Sequence, residues 1–469
     1  MRQQVQHSNH DASSGRLPRV GACPSNVSDE TMGSAGSNAM REIRRAIRQD
    51  TKLEKRIARL TASGKLSKAK YLSRKREGTI SLLIRAEYEA NKKLPLHRRV
   101  SPADVLRIAR SVNLRVPSLE KVIVNATPKR NGALRPVMSF RTENKLRQRA
   151  VTNLLRPQSV FHAGQTALPQ RGTKFAVRRL RAALEVGCKF VVVADIKDFY
   201  PSIDANSLHK SLPLSKEVTN ANIIPKRSTL SSGHVINAKD FVDHNNNHTH
   251  YPKINIKGSR LSLTFGQTSQ RGIPQGSSCS PIVAEYLMKD FVSSFPEDSV
   301  TTFADDIVLF ARTKKEATSY CSALRAAIEQ HSAGSLSLKT ATIRRTSDGF
   351  EFLGYDFCTR KGRELVRPSR QNMRRIEAYL KWALTSIALG DDTAQAKSRL
   401  KSWAAAFSEW PGHKCWLQEK LTRIEAARQS WLTLSRSGAS EPERKLQLAI
   451  ILRAQLGYLA RHSMFLGFR

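Results

Sequence analysis

The chain has 469 residues, 40% of them hydrophobic, enough for two or three packed domains and too many for a small disulfide-stapled peptide. Its 79 Lys and Arg against 39 Asp and Glu leave a formal charge of +40, which calls for a polyanionic partner: nucleic acid most simply, a ribosomal or membrane surface otherwise. Six scattered cysteines (Cys23, Cys188, Cys279, Cys321, Cys358, Cys415) form no Cys-x-x-Cys pair, which speaks against a disulfide framework or zinc knuckle and for a reducing cytoplasm. No apolar run approaches about 18 residues, so neither a membrane span nor secretion is expected.

Residues 1–39, rich in Ser, Gly, Asn and Gln, read as a disordered leader. From Arg41 to Arg76, 14 basic residues stand against 3 acidic ones, while Ile43, Ile47, Leu53, Ile57 and Leu60 recur at roughly helical spacing. One or two basic helices are predicted there, and so one-sided a charge favours contact with nucleic acid over a merely solvated face. Between Leu119 and Phe140, short strands flank Pro128-Lys129-Arg130-Asn131-Gly132, the signal of a basic hairpin. Residues 144–157 and 173–186 are predicted helical, and a buried strand, Phe190 to Ala194, then ends on Asp195. Asp204 to about Gln270 reads as a polar, irregular insertion. After it come a Gly-Ile-Pro-Gln-Gly turn (272–276), a helix from about Pro281 to Ser293, a hairpin around Asp305-Asp306, and a helix from Lys315 to His331. Short strands follow near Leu336–Ile343 and Phe350–Phe357, and helices from Pro368 onward hold all five tryptophans (Trp382, Trp403, Trp410, Trp416, Trp431).

Phe-Ala-Asp-Asp-Ile-Val-Leu-Phe (303–310) puts two adjacent carboxylates at the head of an apolar run, and Asp195 closes a similar one. Acids beside buried strands are costly unless cations neutralise them. Nucleotidyl transfer uses two divalent cations about 3.5–4 Å apart, held by carboxylates from neighbouring strands. Asp195 and Asp305 are the predicted ligands and Asp306 an auxiliary one; such oxygen donors suit Mg²⁺, or Mn²⁺ in its place. Asp198 and Asp204 read as helix-start or turn residues. His244, His248 and His250 have ligand chemistry, but their Asn-rich setting reads as a loop. The tryptophans read as helical core more than as base-stacking platforms.

In order along the chain, Val-Val-Val-Ala-Asp-Ile-Lys-Asp-Phe-Tyr-Pro-Ser-Ile (191–203), Arg-Gly-Ile-Pro-Gln-Gly-Ser-Ser-Cys-Ser-Pro (271–281) and Phe-Ala-Asp-Asp resemble the reverse transcriptases. The resemblance runs from about Lys121 to Phe357, and His162 to Arg179 resembles a segment typical of bacterial members; the compact chain, with no nuclease or maturase addition, is expected to be of the retron or phage-defence (abortive-infection-like) branch. It implies an α+β right-hand polymerase. Basic N-terminal helices and fingers would span 40–190, an antiparallel-sheet palm 191–365 with the insertion at about 205–270, and an all-helical thumb with a C-terminal extension 366–469. It further implies that Asp195, Asp305 and Asp306 are the palm carboxylates, with Phe303 where the family commonly has Tyr. Tyr200, beside Phe199, would lie under the sugar of the incoming nucleotide and exclude a 2′-hydroxyl. Gln275 and Gly276 would lie along nucleotide and template, Lys129, Arg130 and Arg135 would close on the triphosphate, and Leu353, Gly354 and Tyr355 would form the primer grip. The family's Leu-x-Leu-Asn-x-x-Lys-Thr stands here as Leu336 to Ile343 with Thr342 in the lysine's place, leaving Lys339, Arg344 or water to protonate pyrophosphate. The implied activity is RNA-directed DNA synthesis from dNTPs on a DNA or RNA primer, in cytoplasmic antiphage defence with a non-coding RNA, and with a homo-oligomer or partner subunit open. Untemplated or protein-primed synthesis and a maturase-like RNA-binding role are the alternatives.

Overall fold

The structure, a computed structural model, describes residues 29–128, 134–158, 160–168, 171–206, 208–224, 229–235, 272–388, 391–437, 440 and 443. Lys129, Arg130, His244, His248 and His250 lie outside the described residues.

At the centre is a four-stranded antiparallel sheet. Strand β3 (Phe190–Ile196) lies between β6 (Asp306–Ala311) and β7 (Leu338–Arg345), and β5 (Val300–Phe303) pairs with the outer side of β6. The continuous apolar runs of β3 and β6 are explained by burial on both faces. Val192, Ala194, Ile307 and Leu309 enter the main core, whereas Val191, Val308 and Phe310 pack into a second core with Val177, Leu180, Phe350 and Phe357. Alternation at period 2 then places Asp195 on the face of Val191, and Asp306 on the face of Val308.

A second sheet orders β2 (Leu134–Ser139), β1 (Val122–Pro128) and β4 (Leu230–Val235), with β1 and β2 forming the expected hairpin. Strand β4 pairs with β1 in parallel, so the stretch expected to be an irregular insertion contributes order to the sheet. That stretch also holds helices Leu208–Ser211 and Lys216–Asn222, and Leu208, Leu212, Leu214, Val218 and Ile223 are buried in the main core. Elements this short complete too few turns to leave a periodic trace. The third sheet, β8 (Phe350–Phe352), β9 (Tyr355–Arg360) and β10 (Arg363–Pro368), leads into helices Arg370–Ala388, Thr393–Ala406 and His413–Arg436. There Trp416 is buried and Trp403, Trp410 and Trp431 pack against the helical core, as expected, but Trp382 is 53% exposed.

The N-terminal part is a helical layer: Asp29–Ala62, Leu66–Glu77, Ile80–Lys92 and Pro102–Ser111. The first helix starts inside the expected leader, because Ala39 already joins Ile43 and Ala46 in the core. A buried ion network locks the layer to helix Thr142–Leu155. Arg76, fully buried, donates through Nε and Nη2 to the two carboxylate oxygens of Asp50 (2.7 and 2.6 Å) and through Nη1 to the carbonyl of Asn153 (2.8 Å). Arg85 bridges Asp50 (3.0 Å), Glu54 and Glu89 (2.9 Å), and Arg149 completes Glu89 (2.8 Å).

Candidate active site

Asp195 stands directly opposite Asp306 across the β3–β6 ladder, and Phe303 pairs with Asp306, leaving Ala304 and Asp305 as a two-residue turn. Residues opposed in register share a sheet face with their Cβ atoms about 4.5–5.5 Å apart, and like charges so placed repel. The turn is strained: Ala304 has φ 55°, a left-handed backbone that costs a non-glycine residue about 1–2 kcal/mol. Several bonds hold it there. Ile196 N–H donates to the carbonyl of Asp305 (3.1 Å), and the Glu285 carboxylate accepts from the backbone N–H of Ala304.

Glu285, almost fully buried in helix Ser280–Val292, also accepts from Gln165 Nε2 (2.8 Å) and Ala167 N (3.2 Å). Gln165 is itself buried and bridges to Thr302 on β5. Thr166 N–H donates to the Thr302 carbonyl (2.9 Å) and Thr302 N–H to that of Gly164 (2.8 Å). A Cβ on Gly164 would fall 2.4 Å from the Val300 carbonyl oxygen, so the close approach requires glycine. The segment 162–168 and Glu285 thus brace the acid-bearing turn from behind. Glu285 is a site residue that sequence reasoning missed; its signal was one acid inside the apolar run Ile282-Val283-Ala284-Glu285.

The electrostatics follow from burial and crowding. Burial raises the Asp305 carboxyl above the ordinary range, Asp195 raises it further, and its own backbone N–H, Arg135 and Lys339 act in the opposite sense. Asp306 is pushed up to about 7 by burial first, then by Asp305 and Asp195. Lys339, whose Nζ donates to Asp195 Oδ2 at 2.6 Å, is raised by that bond. Glu285 is raised to about 7 by burial, against its hydrogen bonds.

The remaining expected residues divide. Tyr200 lies close enough to Asp305 that, after burial, the carboxylate charge further raises its phenol. Its carbonyl accepts from Ile273 N–H (3.0 Å), and a Cβ on Gly272 would lie 1.9 Å from that oxygen, so the 272–276 turn is fitted onto Tyr200. Phe199 does not line the site: it is 2% exposed, with its ring 5.6 Å from that of Tyr200, because alternate aromatics cannot both face outward from one short turn of helix. The Gln275 carbonyl accepts from Met138 N–H (2.8 Å), and Gly276 has φ 98° with its Cβ position 2.3 Å from the Met138 oxygen, so this turn docks on β2 of the hairpin. The side-chain Oε1 of Gln275 is buried without a partner. Arg135, exposed on β2, reaches Asp305 with its charge.

Between the two candidate proton donors the register of β7 decides. Thr340 pairs with Asp195, which puts Lys339 at the carboxylates; Arg344 pairs with Val191, at the far end of β3. Arg344 instead lines an open cleft with Phe190, Lys314 and Asp348. At the β8–β9 turn, Leu353 (φ 49°) and Gly354 (φ 79°) carry the two positive φ angles of a tight hairpin and are half-exposed. Tyr355 points the other way: it is 1% exposed, its hydroxyl donates to the Ala406 carbonyl (2.9 Å), and its ring packs on Phe407. It supports the turn from inside and cannot touch a primer.

Among the described residues, no group of three His, Cys, Asp or Glu is drawn into a metal-holding cage. The donor chemistry of Asp195, Asp305 and Asp306 nonetheless suits hard cations: these are carboxylate oxygens, crowded enough to raise one another, with Lys339 as the cation bonded to them.

An acid-tipped central strand beside an acid-bearing hairpin, with a two-stranded arm docked on the 272–276 turn and a helical bundle following, defines the α+β right-hand polymerase fold. Residues 127–357 match the family described as reverse transcriptase (RNA-dependent DNA polymerase). No curated protein matches the sequence. Among solved structures, the chain is similar to apo telomerase from Candida tropicalis (13% identity, TM-score 0.34, covering 71% of this chain and 61% of that one) and to the same telomerase truncated from its C-terminal domain (14%, 0.34, 54% and 56%). Telomerase from Candida albicans in complex with a fragment of telomeric RNA is matched at 13% identity and TM-score 0.33, covering 72% and 65%. The chain thus spans less than two thirds of the length of these structures.

Proposed function

We propose that this protein is an RNA-directed DNA polymerase that extends a primer 3′-hydroxyl with dNTPs. The single observation that carries it is the opposition of Asp195 and Asp306 with Asp305 in the strained turn beside them, three acids crowded together at a place where structure alone would gain from removing them. Asp195 and Asp305, with Asp306 as auxiliary, would hold Mg²⁺ or Mn²⁺, which when bound lowers the barrier by neutralising charge on the attacking and leaving oxygens. Arg135 meets the triphosphate from the β1–β2 hairpin. Tyr200 occupies the space beneath the sugar, which selects dNTPs by steric exclusion of a 2′-hydroxyl. Lys339 holds the proton nearest the departing pyrophosphate. Leu353 and Gly354 present backbone to the primer, and the turn carrying Gln275 and Gly276 lies along nucleotide and template.

The finer setting is part of the same proposal: a bacterial antiphage enzyme acting with a non-coding RNA in a reducing cytoplasm. Its bacterial part is supported by the resemblance of the 162–179 segment, and its reducing compartment by the free state of the described cysteines. Primer extension on an RNA template tests the reaction, with Mn²⁺ binding followed in parallel by electron paramagnetic resonance. Asp305→Ala is expected to lose both incorporation, by on the order of a thousandfold, and bound Mn²⁺. DNA synthesis by the variant at the wild-type rate would refute the proposal, and product formed equally without template would replace it with untemplated synthesis.

A further inference from the structure

The hairpin of helices Asp29–Ala62 and Leu66–Glu77 sorts its charges by sign. Between residues 41 and 76 each acid is already committed: Asp50 is buried against Arg76, Glu54 pairs with Arg85, and Glu42 with Arg110 (2.6 Å). Of the 14 cations in that stretch, only Arg76 is buried; all the others are exposed. Among the described residues none of those exposed cations joins a salt bridge. An ordinary solvated helix face mixes both signs, because like charges held on one surface repel.

In the middle of this cationic face stands a ring. Tyr71 is 66% exposed, on the side of its helix opposite the buried stripe of Ala69, Leu72, Ser73 and Arg76. Lys68, Arg74 and Lys75 are its helical neighbours at three and four residues' spacing. The ring makes no hydrogen bond or aromatic contact among the described residues. The mount beneath it is stiff: the buried Arg76 ties it to the Asn153 carbonyl, Gln158 bonds Ser73, and Thr61 Oγ1 donates to the Pro157 carbonyl (3.1 Å). An exposed aromatic among cations, held rigidly to the polymerase body, is the combination that binds single-stranded nucleic acid, the ring stacking on a base and the cations tracking phosphates.

We infer that the outer face of this hairpin is a docking site for single-stranded RNA, with Tyr71 as the platform for one unpaired base and Lys68, Arg74 and Lys75 on the adjoining phosphates. The choice of RNA over DNA rests on the reaction proposed above. A single strand is required, since the bases of a duplex are stacked on one another and offer Tyr71 no free face.

The test is fluorescence anisotropy of a labelled, unstructured uridine-rich RNA with the full chain across a salt series. Tyr71→Ala is expected to weaken binding roughly five- to hundredfold while Tyr71→Phe keeps it. The pair Lys68→Gln and Lys75→Gln is expected to flatten the dependence of log affinity on log salt by about 0.7 for each phosphate no longer neutralised. The same RNA annealed to its complement should be indifferent to Tyr71→Ala. Wild-type affinity in Tyr71→Ala would overturn the inference, as would equal loss on the duplex, equal binding of single-stranded DNA of the same sequence, or a response of these variants to anionic phospholipid vesicles in place of RNA. Failure of the wild-type protein to extend a primer would sink the reaction proposed above and leave the Tyr71 dependence of RNA binding readable by itself.

Discussion

Two groups of buried or half-buried acids sit in this molecule, and they are treated in opposite ways. Behind the fingers, Asp50, Glu54 and Glu89 are each bonded to Arg76, Arg85 or Arg149, so nearly every charge removed from water has a partner. At the palm edge, Asp195, Asp305 and Asp306 crowd one another, and the hydrogen bond of Lys339 goes to Asp195, while Asp305 and Asp306 feel its charge from a distance. The first arrangement satisfies its charges from within the fold; the second leaves a deficit that an outside cation can fill. Unbalanced acids mark the site of chemistry, whereas balanced ones mark a joint between elements.

Substitutions can break or sharpen this contrast. The largest effect on the fold is expected from Asp50→Ala, which strands buried Arg76 and should lower stability by about 3–5 kcal/mol, read as a fall in the melting temperature. If the variant melts with the wild type, the balanced network is not structural. Glu87 sharpens the contrast as an exception: it is 3% exposed, close to the network in sequence, and its Oε2 has no partner. Burial pushes it from the ordinary 4.5 up to about 7. The folded state therefore holds this proton more tightly than the unfolded one. Its contribution to stability is complete below pH 4.5 and is lost as pH rises to 7, about 3 kcal/mol in all. Glu87→Gln should flatten thermal stability across that window, and an unchanged pH profile would show that Glu87 is not the source.

Glu285→Gln probes the brace behind the acid turn. The amide replaces one acceptor oxygen with a donor facing Gln165 Nε2 and the N–H groups of Ala167 and Ala304, so about 1–3 kcal/mol should be lost. A drop in the rate of incorporation at saturating dNTP larger than any rise in KM would identify it as a positioning residue. Asp306→Asn should have the smallest effect on stability and the opposite sign. Relieving one like charge is expected to stabilise the metal-free protein by about 1 kcal/mol near pH 8 while lowering incorporation. Destabilisation by this change would mean that the palm acids, too, are structural.

The same contrast shows what could be read in advance. Apolar runs ending on carboxylates were legible because strands buried on both faces leave uninterrupted Val, Ile and Leu, against which an acid stands out. The ladder of β3, β6 and β7 then fixed a placement the sequence left open, setting Lys339 beside the carboxylates and Arg344 at the far end of β3. Phe199 and Tyr355 were legible as parts of turns but not as inward-facing, since a turn of a few residues has no period from which to read a face. Glu285 and the segment 162–168 escaped for another reason. The bonds of Gln165 and Ala167 to Glu285, and of Thr166 to Thr302, join residues more than a hundred positions apart, and no local pattern encodes such a pairing. The helices within 205–224 were hidden by their brevity.

The turn at Leu353 and Gly354 is gripped from one side. The carbonyl of Gly354 accepts from Ser369 N–H (2.8 Å) and Asn372 Nδ2 (3.0 Å), while the Tyr355 hydroxyl reaches Ala406. The backbone of this turn is in this way clamped to the first two helices of the C-terminal bundle. Should the turn carry a primer as proposed, turn and helices would act as a single pawl, and loosening the bundle would lengthen the slide of the strand between one addition and the next.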